Sequence, residues 1–334
     1  MEKLLKLSKT LPVLAIVFLY GCEANNFDSS IANTPSRADL LIKGIAEGKI
    51  SVVAPATWIE ENESRVIQKK YPNLWNKVHF QHGVKYAYMS NTDEQRFNFL
   101  KQAFDNESSS VVWALRGGYG AARLIPYLLK IPKPTAHKWL IGYSDITALH
   151  LFVSQKWGWK SIHGAVAKDI TYSKKDPKNF KYLDEIVSGA SKSITYQGFK
   201  LLSGKVMQPI AGKLTGGNTA LISTSVGTPW QLNAKGKIVI IEESGHGDRI
   251  DRVLQHLKHS KILEGAVAVV IGDIIVGDVD VNPIINDFVK DLPVPVFKTD
   301  SFGHGDKNYP WIYNADAVIE PDAMGNYQLT FQTQ

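Results

Sequence analysis

The chain has 334 residues, 44% of them hydrophobic and 21% charged, with a formal net charge of +6. That length suffices for two domains with ordinary cores. The positive excess is scattered, with no basic block interleaved with aromatics, which argues against nucleic acid as a partner. Cys22 is the single cysteine, so no disulfide framework can form within one chain.

The N-terminus reads as a targeting segment. "MEKLLKLSKT" is a lysine-bearing n-region, and "LPVLAIVFLY" is an apolar run too short to cross a bilayer core of roughly 30 Å. The run stops at "GC". The order leucine, tyrosine, glycine, cysteine resembles the lipobox of bacterial lipoproteins, which implies a signal over 1–21 and acylation of Cys22. A plain secretory signal is the simpler alternative. Two or more acyl chains anchor a protein stably to a membrane. The polar stretch that follows reads as a tether over 22–47.

From there, short apolar runs alternate with amphipathic segments. "KISVVAPA" (49–56), "VVWAL" (111–115) and "WLIGY" (139–143) read as buried strands. "TDEQRFNFLKQAF" (92–104), "GAARLIPYLL" (120–129) and "DITALHLFVSQKW" (145–157) read as helices, with Thr92 and Ser144 placed as N-caps. Such alternation predicts an α/β first domain over 48–170, a flavodoxin-like parallel sheet with right-handed crossovers. Residues 171–205 are lysine-rich with one helix, and read as the crossing to a second domain. Over 206–334 the strands are "KIVIIEES" (237–244), "AVAVVIGDI" (266–274), "VPVFKTD" (294–300) and "DAVIEPD" (316–322). One amphipathic helix, "RIDRVLQHLKHSKIL", lies among them. This part reads as a smaller, β-rich α/β domain.

Three places could carry chemistry. Ser144 stands between an apolar strand and a helix, where a hydroxyl is exposed and neighbouring N–H groups point outward; a serine N-cap with no function fits the same position. "RGGYG" (116–120) follows a strand and opens a helix, so its amides can approach a phosphate or an oxyanion. It lacks the third glycine of a dinucleotide fingerprint. Arg116 either recognises a carboxylate or braces that loop. His304, in "DSFGHGD" (300–306), is the histidine best presented to act as a base at neutral pH. His79, His137, His256 and His259 read as solvated, and His150 as packed. Glu242 closes a very apolar strand, where an unpaired acid would be costly. It either fixes a histidine tautomer or pairs with Arg249 or Arg252, while Glu243 faces the other side. No S-x-x-K or H-E-x-x-H motif is present, and no cofactor or metal ligand set emerges.

In order, "VVAPA", "NTDEQRFNFLKQAF", "ALRGGYGAARLIPYL", "IGYSDITALH", "LTGGNTALISTSVGTPWQ", "IVIIEESGHGDRIDRVLQHL" and "FGHGD" resemble the serine LD-carboxypeptidase family. That family includes murein tetrapeptide carboxypeptidases and microcin-C immunity peptidases. The resemblance spans about residues 49–322. It implies a cofactor-free peptidase with Ser144 as nucleophile, His304 as general base and Glu242 as its orienting acid. The amides of Asp145 and of Gly117 or Gly118 would form the oxyanion hole. It also implies a nucleophile domain joined to a β-rich domain, a homodimer, and release of terminal D-alanine from murein tetrapeptide. A peptidase that detoxifies a microcin-C-like compound is the alternative within the class. A non-catalytic, lipid-anchored binder of muropeptides is the alternative outside it. Two stretches depart from the family pattern, "SGHGD" (244–248) and "DKNYPWIY" after His304. His246 in the first reads as a loop residue, and the carboxylate of Asp145 as structural, bonded to nearby backbone or to Thr147. The resemblance implies cytoplasmic recycling of murein peptides, and the lipoprotein signal departs from it: an enzyme anchored in the cell envelope would instead trim peptidoglycan stems in the wall or released fragments.

Overall fold

The computed structural model describes residues 38–334 except 77, 80–83, 173 and 278, so Cys22 and the signal lie outside the described residues. Residues 35–334 form one compact unit. In chain order its first elements are α1 (Ala38–Ala46), β1 (Ile50–Val53), α2 (Glu61–Lys70), α3 (Pro72–Asn76) and β2 (Val78–His79). Next come α4 (Asp93–Asp105), β3 (Val111–Ala114), α5 (Ile125–Leu128), β4 (Trp139–Gly142), α6 (Thr147–Lys156), β5 (Ser161–His163) and α7 (Lys178–Val187). The later elements are β6 (Ser193–Ser203), β7 (Ile210–Asn218), α8 (Thr219–Ser225), β8 (Lys237–Gly245), α9 (Gly247–His259), β9 (Ala268–Val276) and α10 (Asn282–Val289). The chain ends with β10 (Val296–Lys298), β11 (Trp311–Tyr313), β12 (Asp316–Pro321) and β13 (Tyr327–Gln332).

The first sheet has the order β11-β5-β4-β3-β1-β2. Its strands β1 to β5 pair in parallel, and β1 and β3 are buried at every residue. Continuous apolar runs such as "VVWA" fit this setting, because helices cover both faces of a parallel sheet. The order 2-1-3-4-5 is that of flavodoxin-like sheets, whose switch point lies between β1 and β3. Loops leaving the carboxyl ends of β1 and β3 therefore flank the expected crevice. Residues 54–58 and 116–120 are those loops.

The second sheet closes into a barrel in the order β10-β6-β13-β12-β7-β8-β9. In β6, Ile194, Tyr196 and Phe199 are buried while Ser193, Thr195, Gln197 and Gly198 are exposed. The stagger after Tyr196 accompanies a register shift against β13. The stretch read from sequence as a crossing thus supplies a barrel wall. β11 leaves the barrel region and joins the first sheet, antiparallel to β5.

Two further expectations are corrected. The end of the expected tether is helix α1, with Leu41 3% and Ile45 0% exposed; apolar residues four apart bury one helical face. The expected helix over 120–129 is a 3-10 turn, Ala121–Leu124, followed by the short α5, with Pro126 in its first turn. No helix among the described residues is long and apolar enough to cross a membrane.

Candidate active site

β4 delivers Ser144 to the crevice. Tyr143 is extended, Ser144 takes a left-handed φ of 60°, and a 3-10 turn over Ser144–Ile146 leads into α6. Ser144 is therefore not a helix cap: its side chain makes no capping bond, and the cap positions belong to Tyr143 and Ile146. A serine pays sterically for positive φ, so surrounding structure must impose it. That sharp strand-to-helix turn is the backbone device that exposes a nucleophile.

The glycine loop packs directly on this turn. A Cβ on Gly117 would lie 3.0 Å from Ser144 Cβ and 3.3 Å from its Oγ. Gly118 has φ 104°, and a Cβ there would lie 2.1 Å from Thr57 Oγ1. A side chain at Gly117 would push the loop away from Ser144, and one at Gly118 would push it off Thr57.

Asp145 is 1% exposed, and its Oδ2 accepts the Ala121 N–H at 2.7 Å. Burial pushes its carboxyl up to about 6, against the Ala121 hydrogen bond and the Arg96 charge. Its partner is thus the glycine loop rather than Thr147, whose Oγ1 accepts from Asn218 N–H at 3.0 Å. Arg96, fully buried on α4, holds the same loop by donating to Gly120 O at 2.8 Å and also to Pro55 O. It pairs with Asp93, which in turn accepts Arg123 through both carboxylate oxygens. Sequence reasoning missed Arg96. Its signal was an arginine in register with Leu100, Ala103 and Phe104 on the buried face of the helix.

The barrel contributes an acid and an imidazole. Glu242 on β8 is 0% exposed, and its Oε2 lies 2.6 Å from His304 Nδ1. Glu242 Oε1 has no hydrogen-bond partner among the described residues. Neither Arg249 nor Arg252 takes up this acid; Arg252 pairs with the exposed Asp248 at 3.6 Å. Burial works against a charged His304, but the Glu242 carboxylate prevails and holds its pKa above the ordinary histidine value. Glu243, on the other side of β8, accepts from Asn218 Nδ2, Thr219 Oγ1 and the Ala220 N–H.

His304 lies against the serine strand. Its ring meets Tyr143 edge-on, with centroids 5.0 Å apart. Lys175 holds the histidine loop by donating to Gly305 O at 2.7 Å and stands 5.8 Å from the Tyr143 ring centroid. The remaining candidates fall elsewhere. His150 is buried between Ser161 Oγ and Gly142 O, with its pKa lowered by burial to about 4. His137 and His259 are exposed; so is His256, which bonds Ser223. His79 is half-buried, and His246 caps α9. Arg116 braces its loop, donating to Trp58 O at 2.9 Å and pairing with Glu63 at 3.5 Å.

A strained serine turn, a facing pair of glycines and a buried carboxylate–imidazole pair together make up the equipment of a serine hydrolase. Comparison with known proteins agrees. Residues 50–164 match the LD-carboxypeptidase N-terminal domain, and residues 211–319 match the LD-carboxypeptidase C-terminal domain. A putative carboxypeptidase of Rickettsia prowazekii is 46% identical over 239 residues, 70% of this chain and 75% of that protein. The murein tetrapeptide carboxypeptidase of Pseudomonas aeruginosa is 30% identical over 302 residues, 83% of this chain and 95% of its own. The muramoyltetrapeptide carboxypeptidase structure from Oxalobacter formigenes superposes with TM-score 0.70 at 25% identity, covering 84% of this chain and 99% of that one. The chain belongs to the LD-carboxypeptidase family and is a serine carboxypeptidase by class. The binder reading gives way to an enzyme.

Proposed function

We propose that the chain releases terminal D-alanine from murein tetrapeptide, with Ser144, His304 and Glu242 as its triad. The buried 2.6 Å contact between Glu242 and His304 carries this reading. With its Nδ1 proton held by the carboxylate, the imidazole has Nε2 left to act as a base. Ser144 Oγ attacks the carbonyl of the L,D amide and passes its proton to His304. The carbonyl oxygen becomes an anion, which the amides of Asp145 and of Gly117 or Gly118 would hold; one such donor is typically worth about 10² to 10³ in rate. The C–N bond then breaks, and His304 protonates the departing amine. Water, deprotonated by His304, cleaves the acyl ester and restores Ser144.

The test incubates full-length parent and Ser144→Ala, in detergent, with defined murein tetrapeptide and reads products by mass. D-alanine release falls at least about 10³-fold in the variant. Release at the parent rate would falsify the assignment. Cleavage of an aminoacyl-nucleotide in place of the tetrapeptide would transfer the same machinery to the detoxifying substrate. We also place the enzyme in the envelope through a lipid on Cys22, read by labelled-palmitate incorporation that Cys22→Ala abolishes. Light scattering on the same preparation checks the homodimer that the family resemblance implies.

A further inference from the structure

A carboxypeptidase releases a residue that carries a free carboxylate, and an anion drawn out of water needs a cation or N–H donors to receive it. His304 protonates the departing amine, so the leaving residue sits on the histidine side of Ser144. Its carboxylate carbon is two bonds from that nitrogen, about 2.5 Å away. A cation suited to it stands beside the histidine loop.

Lys175 stands there, half-buried in the segment between β5 and α7. Its ammonium donates to Gly305 O at 2.7 Å and to His304 O at 3.4 Å. The same ammonium lies 5.8 Å from the ring centroid of Tyr143, the residue before Ser144. It is thus set against the carriers of both reacting groups. The segment is fixed to the histidine loop at a second point, where Asp176 N–H and Asn179 Nδ2 both donate to Asp306 O, at 3.0 and 2.9 Å.

The charge of Lys175 is unmatched. Two of its three donors rest on carbonyls, which orient an ammonium without neutralising it, and no carboxylate pairs with it among the described residues. Asp169, whose carboxyl feels that charge, is 3% exposed and already holds the Val166 N–H at 3.1 Å and the Tyr143 hydroxyl. Four cations near the glycine loop are matched instead: Arg116 and Lys168 by Glu63, and Arg96 and Arg123 by Asp93. The Lys175 charge also opposes protonation of His304. An anion set against the ammonium removes that opposition while the imidazole takes up the serine proton.

We propose that Lys175 binds the carboxylate of the departing residue and so makes the enzyme specific for chain ends. This rests on the tetrapeptide reading above, and the experiment separates the two. The kcat/KM of full-length parent, Lys175→Met and Lys175→Arg is measured on murein tetrapeptide and on the same peptide ending in D-alaninamide. The parent prefers the acid about thirtyfold, as a hydrogen bond to a charged group provides. Lys175→Met brings the two substrates within about threefold of each other, whatever a loosened histidine loop takes from both. Lys175→Arg keeps a preference of at least about tenfold, since guanidinium also fits a carboxylate. Equal rates on acid and amide in the parent overturn the proposal, as does a preference that survives Lys175→Met; a brace alone lowers both substrates alike. If the parent turns over neither peptide, the tetrapeptide reading fails. Saturation-transfer NMR of the D-alanine methyl group, with D-alaninamide as control, then judges Lys175 alone. A D-alanine signal that Lys175→Met abolishes supports it; no signal with the parent, or equal signals from acid and amide, refutes it.

Discussion

Replacing Glu242 by Gln isolates what the buried charge contributes. Glutamine has nearly the volume of glutamate, so the packing around a 0%-exposed side chain persists. Two stability effects oppose each other. The charge-assisted bond to His304 is lost, worth about 1.5–3 kcal/mol. Relief of a buried carboxylate with one unpartnered oxygen returns a similar amount, about 1–3 kcal/mol. The fold should therefore change by no more than about 1 kcal/mol, a melting shift of about 4 °C or less. Catalysis behaves differently, because a neutral amide neither fixes the tautomer nor stabilises the imidazolium, and kcat should fall about 10³ to 10⁴-fold. The pH profile moves as well. In the parent the Glu242 charge outweighs burial and raises the His304 pKa; in Glu242→Gln burial and the Lys175 charge face only the weaker pull of Glu243, so the acid limb of kcat/KM shifts to lower pH. The parent should also lose a stability contribution as pH rises through the raised His304 pKa, and the variant should not. Stopped D-alanine assays across pH, with melting curves on the same samples, read all three. Activity within tenfold of the parent, or an acid limb that does not move, refutes the pairing as a catalytic one.

Asp145 gives a second contrast. Asp145→Asn keeps an oxygen for the Ala121 N–H, whereas Asp145→Ala leaves that N–H unpaired, so kcat should fall about ten- to a hundredfold more in the alanine variant. The carboxyl is raised to about 6, so the parent loses stability as pH rises from its unfolded value through 6, by about 3 kcal/mol. Urea midpoints of Asp145→Asn should lack that decline; a parallel decline would assign the titration elsewhere. Ile45→Ala should cost about 2–5 kcal/mol in urea unfolding, as a fully buried isoleucine does. A change under about 0.5 kcal/mol would return residues 38–46 to the tether.

The first sheet was legible because β1, β3 and β4 are continuous apolar runs bounded by turn residues, a pattern that buried parallel strands require. The barrel was only half legible. β8 and β9 read in the same way, but β6 and β13 alternate polar with apolar residues, and "SITYQGFKLLS" resembles any exposed segment until its partners are known. Nor could sequence anticipate that β11 returns to the first sheet, since that pairing joins residues about 150 positions apart. At the site, residue types and loop settings singled out Ser144, Glu242 and His304. The left-handed backbone at Ser144 was hidden, because strain is imposed by tertiary neighbours such as Gly117 rather than by local propensity. Arg96 was hidden by its type: arginine is seldom sought inside a core.

The segment between β10 and β11 starts in the barrel and ends in the first sheet, with His304 near its middle. The imidazole thus hangs from a cable moored on both shores, and a wide hinge opening between the shores would have to drag it or snap its moorings. Biosynthesis meets the same constraint. The serine's own sheet waits for a border strand made only after the histidine, so a nascent chain cannot complete that sheet until most of the barrel has been translated. The turn that carries Ser144 gains its full sheet only after His304 has been made.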